Sequence, residues 1–222
     1  MLPPRQTLLL LAPFAYLLGS TPFGLLVGLS RGVDPRKAGS GNIGATNVGR
    51  LLGKRYFALV FALDFLKGFV PMVAAGLLLR SSAQTLDRTD YLLWLLIGFA
   101  AIGGHMFSIF LRFKGGKGVA TSTGVMLGVF PFYTVAALVA VPAFFIALKT
   151  TRYVSAGSIA AAVSFPLGYA GIGLLLGWPV TGRQLPLLIF AIIVGLLIIL
   201  KHRTNIARIR AGTEHRVGEA RE

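Results

Sequence analysis

The sequence contains no cysteine and only seven acidic residues among 222. The first absence excludes disulfides, thiol nucleophiles and thiolate metal sites. The second leaves a formal net charge of +15, from 22 basic residues. Such a balance suits nucleic acid, anionic lipid or an anionic substrate. Charge of either sign is scarce as well: 13% of the chain is charged and 55% hydrophobic, against roughly a quarter charged in an ordinary soluble domain. A soluble domain of this length could not cover its surface with so little charge. There is no internal repeat and no low-complexity linker, so one domain over 1–222 is expected.

What the chain has instead is long apolar runs, at about 7–29, 57–79, 91–111, 123–148, 154–177 and 186–200. About 20 apolar residues cross the hydrocarbon as a helix. The expected fold class is therefore all-α, a polytopic membrane helical bundle. The first run follows Arg5 as a signal peptide would, but Gly19-Ser20-Thr21-Pro22 is a poor cleavage site and apolar sequence resumes to Leu29. An uncleaved first helix is expected.

The basic residues sit in short stretches between these runs, which disfavours nucleic acid as the partner. Arg31, Arg36, Lys37, Arg50, Lys54 and Arg55 fall in 31–56, against Asp34 alone. Arg112, Lys114 and Lys117 fall in 112–121. Lys201, Arg203, Arg208, Arg210, Arg216 and Arg221 fall in the tail. By contrast, Arg80 and Arg88 are balanced by Asp87 and Asp90, and 178–185 holds only Arg183. Lys and Arg hold loops in the cytoplasm. The basic stretches should lie inside, with the N-terminus, 80–90 and 178–185 outside. Six straight crossings cannot satisfy this parity. Seven can, if 123–148 breaks at Pro131-Phe132-Tyr133 into short helices near 123–131 and 134–148, because proline removes a helical hydrogen bond. Short helices need local thinning or burial in the bundle. Lys149, Arg152 and Ser155 then also lie inside.

Three polar motifs occupy that side. The first runs Gly39-Ser40-Gly41-Asn42-Ile43-Gly44-Ala45-Thr46-Asn47, then Arg50. Its glycines allow positive φ and close backbone approach. Ser40, Asn42, Thr46 and Asn47 offer neutral donors, and Arg50 a bidentate donor suited to phosphate. The bland alternative is a tight turn and helix cap, which explains one or two such residues but not their density. The second motif is Phe113-Lys114-Gly115-Gly116-Lys117-Gly118-Val119-Ala120-Thr121. It fails the nucleotide-loop test G-x-x-x-x-G-K-[ST], and what remains is a glycine backbone and two lysines before a helix, a setting that binds anions. A lipid anchor would need the lysines but not the glycines. The third is His202-Arg203-Thr204-Asn205-Ile206-Ala207-Arg208, followed by Gly212 and Glu214. His202 and Asn205 share a face if the segment is helical; a polar end cap is the plainer reading.

Asp64 and Lys67 lie three apart inside an apolar run and read as a structural ion pair near the site, since intramembrane charge is costly unless paired. His105 is either a ligand or, more simply, a hydrogen-bonded core histidine. Ser155 and Ser158 taken alone are ordinary helix-start serines.

Taken together, Gly19-Ser20-x-Pro22, the run at 39–47, Asp64-x-x-Lys67-Gly68, Gly104-His105, the run at 113–121, Tyr153-Val154-Ser155 and the run at 202–208 resemble the acyl-phosphate-dependent glycerol-3-phosphate acyltransferase family, PlsY. The resemblance spans the chain from the first crossing to the tail. It implies a bacterial inner-membrane enzyme of seven membrane helices with its active site on the cytoplasmic face. The implied reaction transfers a fatty acyl group from acyl phosphate to the 1-hydroxyl of sn-glycerol 3-phosphate. It gives lysophosphatidic acid and inorganic phosphate, needs no cofactor or metal, and links the enzyme to a soluble acyl-phosphate synthase. The other large class of glycerolipid acyltransferases uses histidine with aspartate five residues on. Here Phe110, Ala207 and Ala220 follow His105, His202 and His215 at that spacing, so that motif is absent.

Acyl phosphate is already activated, so direct attack by the glycerol hydroxyl is the economical route. Ser155, His202 and Asn205 resemble the family's essential polar residues and, with Lys117, are the candidate catalytic residues. Ser40, Gly41, Asn42, Gly44, Thr46, Asn47, Arg50, Lys114, Gly115, Gly116, Gly118 and Arg208 are the candidates for holding phosphate and substrate. Either His202 or a substrate phosphate oxygen takes the proton. The rival readings are an anion transporter, which often carries inverted repeats not seen here, and a lipid-binding scaffold, which gives His202 and Asn205 no task.

Overall fold

Proline and glycine decide where the apolar runs become helices. The computed structural model describes residues 3–81 and 85–218; Arg221 of the basic tail lies outside them. Among the described residues all regular structure is helical. The first run forms α1 (Pro4–Ser20) and α2 (Phe23–Leu29), parted at Thr21-Pro22. The amphipathic α3 (Ala45–Leu52) follows the first glycine loop, and Gly53, at φ 101°, separates it from α4 (Lys54–Arg80). Then come α5 (Arg88–Met106), a 3₁₀ turn (Ile109–Leu111), α6 (Val119–Gly128), α7 (Phe132–Thr151), α8 (Val154–Leu175), α9 (Leu185–Lys201) and α10 (Arg203–Arg210).

Among the described residues five stretches are long and apolar enough to cross a membrane: Pro4–Leu29, Lys54–Arg80, Arg88–Leu111, Phe132–Thr151 and Val154–Leu175. The pair α9 and α10, bent by 52°, makes a sixth. The 10-residue α6 is apolar but reaches only about 15 Å, half of a hydrocarbon core of about 30 Å. The break expected inside 123–148 is present, at 129–131. Its flanking helices differ from the expectation. The first starts at Val119, directly on Gly118. The second is a full 20 residues, not a short piece. Pro131 takes the N-cap of α7, where its missing N–H costs nothing. Pro142 stays inside α7 without ending it, which ends only where Arg152 turns left-handed at φ 63°.

The chain forms two compact units, Met1–Val129 and Phe130–Glu222. In the first, α1 packs on α5 and α4 on α6, through glycine. A Cβ at Gly19 would collide with the Ala101 carbonyl and one at Gly104 with the Tyr16 carbonyl. On the other pair, a Cβ at Gly68 would meet the Thr121 carbonyl and one at Gly124 the Phe65 carbonyl. Small residues at such contacts let helix backbones close on each other where lipid supplies no hydrophobic drive. Trp94 is buried, its Nε1–H donating to the Met72 carbonyl at 2.8 Å. Arg5 joins the starts of α1 and α5 through Asp87 (2.6 Å) and Asp90 (2.9 Å).

In the second unit, α7 packs on α8 and α8 on α9. Tyr133 lies edge-on to Phe165 and Tyr169; its hydroxyl donates to the Leu187 carbonyl at 2.5 Å. Tyr169 donates to Gln184 Oε1 at 3.0 Å. In both units large apolar side chains also point outward, such as Leu77, Leu138 and Leu175. That is the surface a lipid-facing helix needs.

Candidate active site

The first glycine loop is built around Asn47. This residue is buried, and its carboxamide is spent inside the loop. Oδ1 accepts from the Ser40 N–H at 2.8 Å, and Nδ2 reaches the carbonyls of Pro35 (3.0 Å), Ala38 (3.1 Å) and Asn42 (2.8 Å). Gly39 and Gly41 turn left-handed, at φ 60° and 72°, and a Cβ on Gly39 would strike Asn47 Oδ1. Asn42 Oδ1 accepts from the Gly44 N–H at 2.8 Å, an Asx turn that delivers the chain to α3. Asn47, and in part Asn42, thus shape the loop from within. The hydroxyls of Ser40 and Thr46 make no hydrogen bond among the described residues, and both side chains are half-buried, as is Arg50. Outside the turn, hydrogen bonds from the Arg36 side chain and backbone N–H hold the Asp34 carboxyl down at about 2.

The second loop follows α5. Arg112 and Phe113 are both left-handed, at φ 50° and 63°, a costly conformation for side-chain-bearing residues. The Phe113 N–H donates to the Ser108 carbonyl at 2.8 Å, and Gly116 N–H to the His105 carbonyl at 3.0 Å. Gly115 and Gly116 lie so close to His105 that neither could carry a Cβ. Lys114 is exposed and Lys117 half-buried. Gly118, at φ 80°, is the N-cap of α6. Neither Gly118 on α6 nor Gly44 on α3 supplies a side-chain cap. A helix leaves its first N–H groups without an intrahelical partner. Both glycine motifs therefore end in a helix start with N–H groups and partial positive charge to offer an anion.

In the second unit the third motif is organised by its acidic residue, which was assigned no task above. Glu214, buried, accepts from Ser155 Oγ at 2.9 Å and Asn205 Nδ2 at 2.5 Å through Oε1. Through Oε2 it accepts from Arg208 Nε at 2.8 Å. Burial alone pushes the Glu214 carboxyl up, but hydrogen bonds from Arg208, Asn205 and Ser155 more than offset this and leave it below the usual range. The chain reaches this position by turning at Gly212 (φ 72°) after α10. It is then tied to the start of α8: the Val217 N–H donates to the Arg152 carbonyl, Arg152 Nη2 donates back to the Val217 carbonyl at 2.8 Å, and Arg216 lies over Tyr153.

His202 does not sit within a helix beside Asn205, as the shared face assumed. It stands at the bend between α9 and α10. Its Nδ1 lies 2.7 Å from the Ile198 carbonyl. A carbonyl only accepts, so Nδ1 carries a proton; in the neutral form of the ring Nε2 is then the acceptor nitrogen. The expected ion pair is present: Lys67 Nζ lies 2.7 Å from Asp64 Oδ1, both buried.

Membrane-length helices, two glycine-capped helix starts, one of them directly after Lys117, and a buried carboxylate gathering serine, asparagine and arginine describe an integral membrane protein with polar sites built into its helix ends. Residues 9–212 match the family model described as glycerol-3-phosphate acyltransferase. The chain is 44% identical to the glycerol-3-phosphate acyltransferase of Geobacter sulfurreducens, over 94% of this chain and 96% of that one. It is also 44% identical to that of Aquifex aeolicus, over 94% and 98%. Among solved structures it is similar to PlsY (YgiH), an integral membrane glycerol 3-phosphate acyltransferase. The TM-scores are 0.79 for its glycerol 3-phosphate form and 0.76 for its lysophosphatidic acid form, each at 43% identity and 96% coverage of both chains. The chain belongs to the glycerol-3-phosphate acyltransferase family and is a multi-pass membrane acyltransferase.

Proposed function

We propose that this acyltransferase uses acyl phosphate as donor and the 1-hydroxyl of sn-glycerol 3-phosphate as acceptor, releasing lysophosphatidic acid and inorganic phosphate. This is the entry step of phospholipid synthesis. The acceptor and product are those named for the two forms of the 43%-identical solved structure. The observation that carries the donor is the pair of glycine-capped helix starts with Arg50, Lys114 and Lys117 in their motifs. Two phosphorylated substrates repel each other, and such dipoles and cations offset that cost.

The hydroxyl oxygen attacks the acyl carbon, the new ester C–O bond forms, and the bond from acyl carbon to phosphate oxygen breaks. The hydroxyl proton passes to a phosphate oxygen. Ser155, Asn205 and His202 orient the acceptor, and Ser40, Gly41, Asn42, Gly44, Thr46, Gly115, Gly116, Gly118 and Arg208 complete the binding groups. Asn47 serves by holding the first loop. A second reading makes His202 the base, favoured by the Nδ1 contact with Ile198, which fixes the orientation of the ring. A pH–rate profile of His202→Asn matching the parent enzyme excludes this base.

In this reading the whole chain acts as one catalytic domain. The N-terminus faces the periplasm; the basic loops and the tail face the cytoplasm, where a soluble acyl-phosphate synthase would supply the donor. The test is purified protein given glycerol 3-phosphate with either acyl phosphate or acyl-CoA. Lysophosphatidate from acyl phosphate alone is expected; product from acyl-CoA alone rejects the donor.

A further inference from the structure

The first unit contains a buried polar chain that the reaction scheme leaves unused. It begins where α1 breaks. Lys67 Nζ donates to the Thr21 carbonyl at 2.9 Å and pairs with Asp64 at 2.7 Å. Asp64 Oδ1 in turn faces His105 Nδ1 at 3.6 Å, beyond hydrogen-bond length and an ion pair only when the ring is protonated. The same break holds the loop's base: Ser108 Oγ donates to the Ser20 carbonyl at 2.6 Å. Asp64, Lys67, His105 and Ser108 are all buried, at 5% exposure or less. An intramembrane ion pair is expensive, and a fold that needed only packing would fill this space with apolar side chains at lower cost.

What the chain of groups touches at its other end is the second glycine loop. The His105 carbonyl accepts from the Gly116 N–H. A methyl on Gly116 would overlap the His105 ring, with Nε2 nearest and Cε1 and Cδ2 next, so the ring forms a flat floor beneath that residue. Immediately before the floor, Arg112 and Phe113 are held left-handed. Immediately after it stand Lys117 and the Gly118 cap of α6. A loop with consecutive strained residues relaxes unless its surroundings over-determine it.

We propose that His105, set in place by Asp64, is a positioning residue for the glycine–lysine loop. Its ring and carbonyl fix the height of the Gly115–Gly116 backbone, and so the reach of Lys117 and of the first N–H groups of α6. The Asp64–Lys67 pair is the anchor that keeps the ring from turning. The inference rests on the reading that this loop receives a substrate phosphate.

The test is a mutant cycle on purified protein, with KM for each substrate and kcat measured separately and folding followed by thermal unfolding. Loss of a binding contact made equally in the ground and transition states raises KM and leaves kcat unchanged. Gly116→Ala should therefore raise the KM of one phosphorylated substrate about tenfold or more, with little change in kcat. His105→Asn should do the same by removing the floor. The pair should couple: in H105N/G116A the smaller side chain leaves room for the methyl, and KM falls below that of Gly116→Ala alone. Independent effects would instead multiply. If His105→Asn does not fold, His105→Phe keeps a ring under Gly116 and loses the Asp64 partner; it should fold and still raise the same KM. Multiplying effects, or His105 variants that fold with parental KM values, overturn the proposal. If Lys117→Ala and Gly116→Ala leave both KM values unchanged, the phosphate reading of the loop has failed, and the proposal with it.

Discussion

Ser155 and Glu214 lie 59 residues apart in the chain and share a buried hydrogen bond of 2.9 Å. Through it the start of α8 and the turn after α10 become one polar site, because the same carboxylate also receives Asn205 and Arg208. A hydrogen bond to a charged group contributes about 1.5–3 kcal/mol. Glu214→Gln keeps the shape but removes the charge, and its amide nitrogen cannot accept. A loss of about 2 kcal/mol in stability is expected, with activity reduced by an order of magnitude or more because Ser155 and Asn205 lose their common anchor. Thermal unfolding and initial rates check both.

The same residue gives a pH signature. Glu214 titrates below the usual glutamate range in the folded protein, so its contribution is present in full above its unfolded value, near 4.3. It is lost as pH falls through the lower folded value. The stability gap between parent and Glu214→Gln should be constant from pH 8 to about pH 5 and close in more acid solution. A gap that widens on acidification contradicts the assignment.

Lys117 and Lys54 carry the same charge in different settings. Lys117 is half-buried between Gly116 and Gly118, whereas Lys54 is exposed at the first turn of α4. Loss of one positioned donor costs roughly 10²–10³ in rate where it meets developing charge. Lys117→Ala should lose activity on that scale and Lys54→Ala by no more than about threefold, a surface-charge effect. Equal losses would mean that bulk charge, rather than a defined site, draws the substrates.

Asn47→Asp tests whether the first loop is shaped from within. The substitution replaces an amide facing three carbonyls with a carboxylate that repels them. Leaving buried groups unsatisfied costs about 1–3 kcal/mol each. The variant should unfold at lower temperature and raise KM. A variant with parental stability and lowered kcat alone would place Asn47 on the substrate instead.

Much of this architecture is legible in the sequence, and the remainder is hidden for definite reasons. Pro131 marks the break before α7, although Pro142, which lacks the same N–H, leaves that helix unbroken. The ends of α6 and α7 are not so marked, since Val119–Ser122 continue from a glycine loop without a break in composition, and the exposed polar Lys149–Thr151 extend α7 beyond its apolar run. The Asp64–Lys67 pair is legible because residues three apart on a helix must meet. Glu214 is visible as a residue in its motif, yet nothing local announces that Ser155 will be its partner. Asn47 shows the opposite difficulty. Its residue type suits a ligand, but only the folded loop reveals that its amide points inward. The comparisons with relatives support the acyltransferase reading as a whole, while the tasks of individual residues depend on geometry.

The crossing pattern has its own check. Reporters fused after Arg152 should read as cytoplasmic and those within 178–184 as periplasmic, as the charge bias of the loops requires. A periplasmic signal at Arg152 would remove the seven-crossing arrangement.

Direct transfer from acyl phosphate to the glycerol hydroxyl is tested most closely by following phosphate and lysophosphatidate together in a rapid-mixing assay. Direct transfer releases one phosphate per lysophosphatidate formed, with no phosphate burst when enzyme meets acyl phosphate before glycerol 3-phosphate is added. A burst of one phosphate per enzyme would show a covalent acyl-enzyme and contradict it.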